Sequence, residues 1–158
     1  MTGEAAARTR GKGAANLVCF HVAGRQFGSP IQSVKETLAL RPLTRVFLTP
    51  SWVAGIMNLR GDVVAVVDLA AFLGLGRTPV GSATRIVLAR SAERAAGFLV
   101  DRLADPRAVD LAALEPLPAT LDPEIAGLLS GVVTLAGGEP LAILDLAAIL
   151  RSPRMRMR

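Results

Sequence analysis

The feature that most constrains the fold is an internal repeat. Residues 138–150 (GEPLAILDLAAIL) match residues 61–73 (GDVVAVVDLAAFL) without a gap, and seven of the thirteen positions are identical. In each copy, a short run of aliphatic residues precedes an aspartate and a Leu-Ala-Ala segment. This order predicts a buried strand followed by a helix, with Asp68 and Asp145 as the helix N-caps. The chain is therefore expected to contain a duplicated supersecondary unit.

The repeat extends upstream, but two polar positions differ. Residues 55–61 (GIMNLRG) resemble residues 131–137 (GVVTLAG), so Thr134 and Ala136 replace Asn58 and Arg60. This asymmetry indicates a role confined to the first half, although a local packing difference would also explain it. Arg60 lies among the apolar residues Met57, Leu59 and Val63 in the sequence. A charge in such surroundings needs a carboxylate partner or a route to water.

Turn signals divide each half into about five short strands. A hairpin is expected at residues 17–30 and again at residues 84–100, with Gly97 standing where Gly28 stood. The pattern of residues 31–38 is compatible with either a short helix or a twisted strand. Residues 51–53 are predicted to enter a turn of helix.

We predict an all-β-dominated fold with short helices, in which two small five-stranded β-barrel subdomains share a hydrophobic core. The first subdomain would span about residues 17–81 and the second about residues 82–151. Barrels of this size bury little apolar surface alone, and a hydrophobic content of 51% supports a shared core. Residues 1–16 are interpreted as a disordered basic arm and residues 152–158 as a basic tail.

Composition narrows the class of protein. No apolar run approaches the ~20 residues needed to span a bilayer, and no apolar segment follows the charged start as in a secretory signal. We therefore expect a cytoplasmic protein without direct membrane insertion. The net charge of +5 is concentrated in the two terminal segments, which could attract phosphates or anionic lipid.

The residues that could carry catalysis do not form a familiar set. The single histidine, His21, lies beside the single cysteine, Cys19, and no third member of a triad accompanies them. One cysteine cannot form a disulfide framework or a thiolate metal cluster. Asp68 and Asp145 could be an acid/base pair, but their place before Leu-Ala-Ala favours capping. An aromatic content of 4% without tyrosine lacks stacking platforms for nucleic acid. We predict a non-enzyme without metal, cofactor or nucleic-acid partner.

Several motifs together resemble the CheW family of chemotaxis coupling proteins. The core of the likeness is Asn58-Leu-Arg-Gly, followed at 66–69 by Val-Val-Asp-Leu. The surrounding matches are Leu17-Val-Cys-Phe, Val34-Lys-Glu36, Leu43-Thr-Arg-Val, Thr49-Pro, Trp52-Val-Ala-Gly and Gly97-Phe-Leu-Val-Asp101, in the order and spacing of that family. The resemblance covers roughly residues 17–150.

The resemblance implies two β-barrel subdomains, no catalysis and a scaffold role. Proteins of this family bridge the cytoplasmic tips of chemoreceptors to the histidine kinase CheA, whose regulatory domain has the same fold. Arg60 would occupy the position of the family's arginine, and Glu36 that of the glutamate that pairs with it. The groove for receptor helices would then be formed near Ile31, Val34, Glu36, Gly55, Asn58, Arg60 and Leu103. The residues that contact the kinase are not assigned.

Some alternatives remain open. Asp62 is a local rival to Glu36 as the partner of Arg60, and Arg60 could also be simply exposed. Ala65 and Pro106 depart from residues common in the family, which leaves the rim of the groove uncertain. The resemblance places the protein at receptor arrays on the inner face of the membrane. It is equally compatible with an adaptor of a non-flagellar pathway, such as twitching motility, and a small adaptor whose basic tails bind membrane or nucleic acid is a third hypothesis.

Overall fold

A computed structural model describes residues 13–92, 94–117 and 122–155. Strands dominate these residues and the helices are short, which confirms the prediction of an all-β-dominated fold. The strands are β1 (Ala14–Val22), β2 (Arg25–Pro30), β3 (Val34–Ala39), β4 (Val53–Leu59), β5 (Asp62–Asp68), β6 (Arg85–Ser91), β7 (Arg94–Val100), β8 (Arg102–Asp110), β9 (Leu129–Thr134) and β10 (Pro140–Leu144). The α-helices are α1 (Leu69–Phe72), α2 (Pro123–Ala126) and α3 (Leu146–Arg151), and 3-10 turns lie at Ile31–Ser33, Leu111–Ala113 and Pro153–Met155.

The strands form two five-stranded sheets. The first sheet has the order β8-β1-β2-β10-β9 and the second has the order β3-β6-β7-β5-β4. The pairs β10–β2 and β5–β7 are parallel, and the other neighbours are antiparallel. Each sheet thus combines a hairpin from one half of the chain with three strands from the other half.

This exchange of strands was not foreseen from the sequence. The second sheet uses the continuous segment 34–100, and the first sheet takes the strands on either side of it. The boundary expected near residues 81–82 therefore does not separate the two sheets. Local turn signals predict which strands exist, but they do not specify which distant strand each will pair with.

The duplicated units have the order that the repeat predicts. Strand β5 leads into α1, and β10 leads into α3. In the parallel pairs, Val66 of β5 lies opposite Gly97, and Ile143 of β10 lies opposite Gly28. A Cβ atom on Gly97 would lie 2.7 Å from Ile86 Cγ2, so this position leaves no room for a side chain. The two halves are therefore equivalent in pairing register as well as in sequence.

Each sheet curves around a core of its own. The core of the second sheet contains Met57 and Leu59 of β4, residues of β5, β6 and β7, and the partly buried Leu38 of β3. Because β3 and β4 are the two edges of this sheet, their meeting in one cluster requires strong curvature. The first sheet encloses a similar cluster of Leu17, Cys19, Val109, Val133, Leu141 and Ile143. The sheets are barrel-like, and they retain open edges instead of closing by hydrogen bonds.

A third and larger cluster joins the sheets. Phe20 and Phe27 from the first sheet, Phe98 from the second, and Phe72 and Ile149 from the helices all pack into it. Trp52 meets Phe72 edge to face, with ring centroids 5.0 Å apart. The shared core predicted from the apolar composition is present.

Several local expectations need correction. Strand β1 begins at Ala14, so residues 14–16 belong to the fold and not to an arm; residues 1–12 lie outside the described part. Val53 begins β4 where a turn of helix was predicted. Residues 31–38 combine both readings, as a 3-10 turn followed by a strand. Strand β5 is buried on both faces only towards its end, since Val63 is 69% exposed.

Candidate functional site

The turn between β4 and β5 fixes the direction of Arg60. Arg60 and Gly61 both have positive φ, at 51° and 90°, as in a two-residue hairpin turn whose twist matches the strands. The Gly61 amide donates a 3.1 Å hydrogen bond to Asn58 Oδ1, which stabilises this turn. Arg60 thus projects from the tip of the hairpin, and its side chain is 64% exposed. The route to water that a charge in this apolar segment needs is therefore present.

Arg60 forms a two-pronged ion pair with Glu36. Its Nη1 donates to Glu36 Oε2 and its Nη2 to Oε1, both at 2.9 Å. Both nitrogens are thus used on Glu36 and not on the local rival Asp62. The hydrogen bonds from Arg60 lower the pKa of the Glu36 carboxyl group, and the charges of Arg60, Lys35 and Arg41 act in the same direction. A geometry with two parallel hydrogen bonds orients both side chains as well as attracting them.

The ion pair connects opposite edges of the second sheet. Glu36 lies on the edge strand β3, and Arg60 follows the other edge strand, β4. The pair therefore bridges the gap between the two edges, which the curvature of the sheet brings together.

The other half of the chain lacks this pair. Glu36 lies opposite Leu88 on β6, and Ala104 lies opposite Cys19 on β1. Leu88 and Cys19 are themselves equivalent, since they face Gly97 and Gly28 in the two hairpins. Ala104 is thus the counterpart of Glu36, as Ala136 is of Arg60. The scaffold was duplicated, and the charged pair belongs to one copy.

Two other residues predicted to line the groove are also counterparts of each other. Val34 faces Ala89 on β6, and Leu103 faces Phe20 on β1. Both side chains are partly buried and pack against the core between the sheets. They therefore lie at the border between the sheets, one on each side. Ile31 precedes β3 in a 3-10 turn and is 52% exposed.

Gly55 has a structural role behind this surface. It is buried with φ of 154°, and a Cβ atom would lie 2.7 Å from the carbonyl oxygen of Thr44. Thr44 and Ile56 form an isolated β-bridge at this point. Gly131 repeats the arrangement, with φ of 157° beside Glu115. The structure thus brings together Glu36, Asn58 and Arg60, whereas Gly55 shapes the backbone that supports them.

Asp68 and Asp145 occupy helix N-cap positions. Asp68 Oδ1 accepts from the Ala71 amide at 3.4 Å, and Asp145 Oδ1 accepts from the Ala147 amide at 3.0 Å. Each aspartate also accepts a hydrogen bond from another segment of the chain. Thr78 Oγ1 donates to Asp68 Oδ1 at 2.7 Å, and Ser33 Oγ donates to Asp145 Oδ1 at 2.6 Å. The sequence carries no local signal for the second of these contacts, because Ser33 lies 112 residues from Asp145.

Cys19 and His21 show no sign of a reactive pair. Burial raises the pKa of the Cys19 thiol, which disfavours the nucleophilic thiolate. Burial is also the main cause that lowers the pKa of His21. Within residues 13–92, 94–117 and 122–155, no group of three or more histidine, cysteine or carboxylate side chains could hold a metal ion. No helix in this part of the chain is long and apolar enough to cross a bilayer.

Comparison with known proteins assigns the chain to a family. The family model described as the CheW-like domain matches residues 16–154. The chain belongs to the CheW-like domain family. It is 32% identical over 139 residues to protein FrzA of Myxococcus xanthus, a match covering 87% of this chain and 86% of that protein. It is 30% identical over 132 residues to chemotaxis protein CheW of Rhizobium meliloti (strain 1021), with coverage of 84% and 85%.

A solved structure of this family has the same fold. The crystal structure of the scaffolding protein TtCheW from Thermoanaerobacter tengcongensis matches with a TM-score of 0.77 and 25% identity, and the match covers 90% of this chain and 91% of that one. The two residues that depart from the CheW-like pattern, Ala65 and Pro106, lie on strands β5 and β8. Pro106 is exposed on β8, an edge strand on which a missing amide costs little. Ala65 is partly buried on β5.

Proposed function

We propose that this CheW-like protein is a non-catalytic coupling scaffold that links the cytoplasmic tips of chemoreceptors to the regulatory domain of a CheA-type histidine kinase. Family membership supports the scaffold role, because the relatives include chemotaxis protein CheW and a scaffolding protein. The specific partners rest on the resemblance of the Asn58-Leu-Arg-Gly segment and Glu36 to the family's receptor-binding residues.

The observation that carries the proposal is the exposed Glu36–Arg60 pair. It occurs in one half of a duplicated fold, and alanines occupy both equivalent positions in the other half. Exposed ion pairs contribute little to stability, so stability alone gives no reason for this asymmetry. A role in recognition does, since the pair orients a guanidinium and a carboxylate at the exposed edges of the second sheet.

The test measures binding of two partners by the same variants. The wild type, Arg60→Ala, Glu36→Ala and the double variant are titrated against a receptor-tip fragment and against a CheA regulatory domain. We expect each single variant to weaken receptor binding by about tenfold and the double variant to weaken it little further. Binding to the kinase domain should change less. Receptor binding that is unchanged in all three variants would reject the proposal.

The second half of the chain supplies a matched control. Thr134 is the counterpart of Asn58, and its hydroxyl donates to Glu115 at 3.3 Å. Glu115→Ala removes a carboxylate that also lies beside a hairpin tip, but in the half of the chain that has Ala136 in place of Arg60. Receptor binding by this variant should match that of the wild type.

A second candidate keeps the adaptor role in a different signalling pathway. This candidate is supported by the relative FrzA, which matches over a similar length but is not named as a chemotaxis protein. The test titrates this protein against receptor and kinase preparations from more than one pathway. The pathway whose receptor and kinase bind this protein more tightly distinguishes the two candidates.

A further inference from the structure

The duplication produces two equivalent grooves, one on each sheet. The basic groove, on the second sheet, has a volume of about 660 Å³ and includes Lys35, Arg60, Val63, Ala65, Arg90 and Arg94 in its lining. The apolar groove, on the first sheet, has a volume of about 500 Å³ and includes Phe27, Leu73, Leu75, Ile125, Leu129 and Ala142. Ala65 and Ala142 are counterparts in the repeat, so the two grooves occupy corresponding places.

The chemistry of the two grooves has diverged. Arg94 and Arg25 are counterparts, and each lines its own groove. The second-sheet groove adds Lys35 and Arg90, besides Arg60, whose charge is paired with Glu36, and the only acidic residue among its described lining residues is Asp62. In the first-sheet groove, Arg25 is the one basic residue among the described lining residues, and Asp122 and Glu139 oppose its charge. The basic groove therefore favours an occupant with negative charge.

The basic groove also offers an apolar surface. Val63 is 69% exposed on β5, and Ala65 follows it on the same face of the strand. Arg94 is held in place, because its Nη1 donates at 2.8 Å to the carbonyl oxygen of Leu150 in α3. An occupant that matches this surface needs an apolar stripe over Val63 and carboxylates towards Lys35 and Arg90.

The sheet restricts how a partner can dock here. Strand β5 is paired on both sides, with β4 and β7, and β7 is paired with β5 and β6. Neither strand presents a free edge, so a partner cannot add a strand to them. Of the two edge strands, β4 is covered by Thr44 at Ile56, and β3 is bulged at Lys35. The remaining mode of peptide recognition is a helix that contacts the side chains of the groove.

We propose that the basic groove binds an acidic amphipathic helix of a protein partner, with its apolar stripe on Val63 and Ala65 and its carboxylates facing Lys35 and Arg90. A protein is favoured over single-stranded nucleic acid because the aromatic residue lining the groove, Trp52, is 7% exposed and packed edge to face on Phe72. It offers no face on which a base could stack. The inference extends the proposed function by giving the chemistry of a docked segment.

Trp52 provides the readout, since it is the only tryptophan of the chain and lines this groove. The probe is a synthetic peptide of about 18 residues, because shorter isolated helices are marginal in water, with leucines on one face and glutamates on either side. The control peptide replaces the glutamates with lysines. We expect the glutamate peptide to cause a saturable change in Trp52 emission, and added salt to weaken its binding. The lysine peptide should cause no change. Equal responses to both peptides, or none to either, would overturn the proposal.

Charge reversals locate the binding. The variant Lys35→Glu/Arg90→Glu should lower the affinity for the glutamate peptide by at least about tenfold. Arg25→Glu is the control, because Arg25 is the counterpart of Arg94 in the apolar groove, and it should leave this affinity unchanged. Val63→Asp should also lower the affinity. Thermal unfolding of each variant establishes that it is folded. Tighter binding of a DNA duplex or of phosphatidylserine vesicles through Lys35 and Arg90 would overturn the proposal in favour of those ligands.

The same variants separate this inference from the proposed function. If Arg60→Ala weakens receptor binding while Lys35→Glu/Arg90→Glu leaves the glutamate peptide unaffected, the coupling role stands and the groove proposal fails. If Lys35→Glu/Arg90→Glu weakens peptide binding and Arg60→Ala has no effect on receptor binding, the groove proposal stands and the proposed coupling role fails.

Discussion

At the scale of single residues, the Glu36–Arg60 pair makes a pH-dependent prediction. The pKa of Glu36 is lowered in the folded chain, so the carboxylate persists below the pH at which an unperturbed glutamate becomes protonated. Its contribution is complete above the ordinary pKa of glutamate and is lost as the pH falls through the lowered value. Receptor binding should therefore hold on mild acidification and decline only at lower pH.

Carbon-detected NMR of the Glu36 carboxyl group measures this directly. Arg60→Ala removes the hydrogen bonds that are the main cause of the shift, so the pKa of Glu36 should rise towards its ordinary value. Arg85→Ala, at an arginine that donates to the carbonyls of Ser82 and Thr84, serves as control. The same pKa in Arg60→Ala as in the wild type would show that the pair does not form in solution.

At the scale of structural elements, the helix caps are expected to hold more than their helices. Asp68→Ala removes the acceptor for Ala71 and also for the amide and hydroxyl of Thr78, which are buried. Loss of a cap alone costs about 1–2 kcal/mol of unfolding free energy, and buried donors left without a partner add to this. Chemical denaturation should show a larger loss for Asp68→Ala than for Asp68→Asn, which keeps an acceptor. Equal losses would mean that the carboxamide cannot replace the carboxylate at this site.

The bulged start of β4 gives a second prediction for an element. Gly55→Ala would place a Cβ atom 2.7 Å from the Thr44 carbonyl oxygen at a φ of 154°, so the Thr44–Ile56 bridge must open. We expect a loss of roughly 1–3 kcal/mol in the free energy of unfolding. Gly81→Ala is the matched control, because no atom lies within 4 Å of its Cβ position. If both variants unfold at the same denaturant concentration, the close approach at Gly55 is not a constraint.

At the scale of the whole molecule, the sequence predicts units better than it predicts their assembly. The repeat at residues 61–73 and 138–150 indicated strand followed by helix, because caps and apolar runs are local signals. The pairings of β5 with β7 and of β10 with β2 involve residues far apart in sequence, and no local pattern encodes that exchange. The partner of Arg60 came from family resemblance, and its exposure follows from a positive φ that the sequence pattern did not reveal.

The C-terminal turn is where the sequence was most misleading. In the sequence, residues 152–158 are interpreted as a basic tail because they follow the repeat and are rich in arginine. In the structure, the Arg154 guanidinium lies 5.0 Å from the centroid of the Phe72 ring and also pairs with Glu124 at 3.3 Å. Met155 is partly buried against the core between the sheets. Two of these residues therefore contribute to packing.

Two truncations that differ by only three residues test this contribution. A chain ending at Ser152 loses Arg154 and Met155, whereas a chain ending at Met155 keeps both and loses only residues 156–158. Burial of part of a methionine and one cation–π contact is worth about 1–2 kcal/mol, which corresponds to a fall in Tm of a few degrees for a domain of this size. The shorter chain should show that fall in a calorimetric scan, and the longer one should melt with the wild type. If the two truncated chains melt together, Arg154 and Met155 do not stabilise the fold. The basic groove, which Met155 helps to line, would then keep its shape without them.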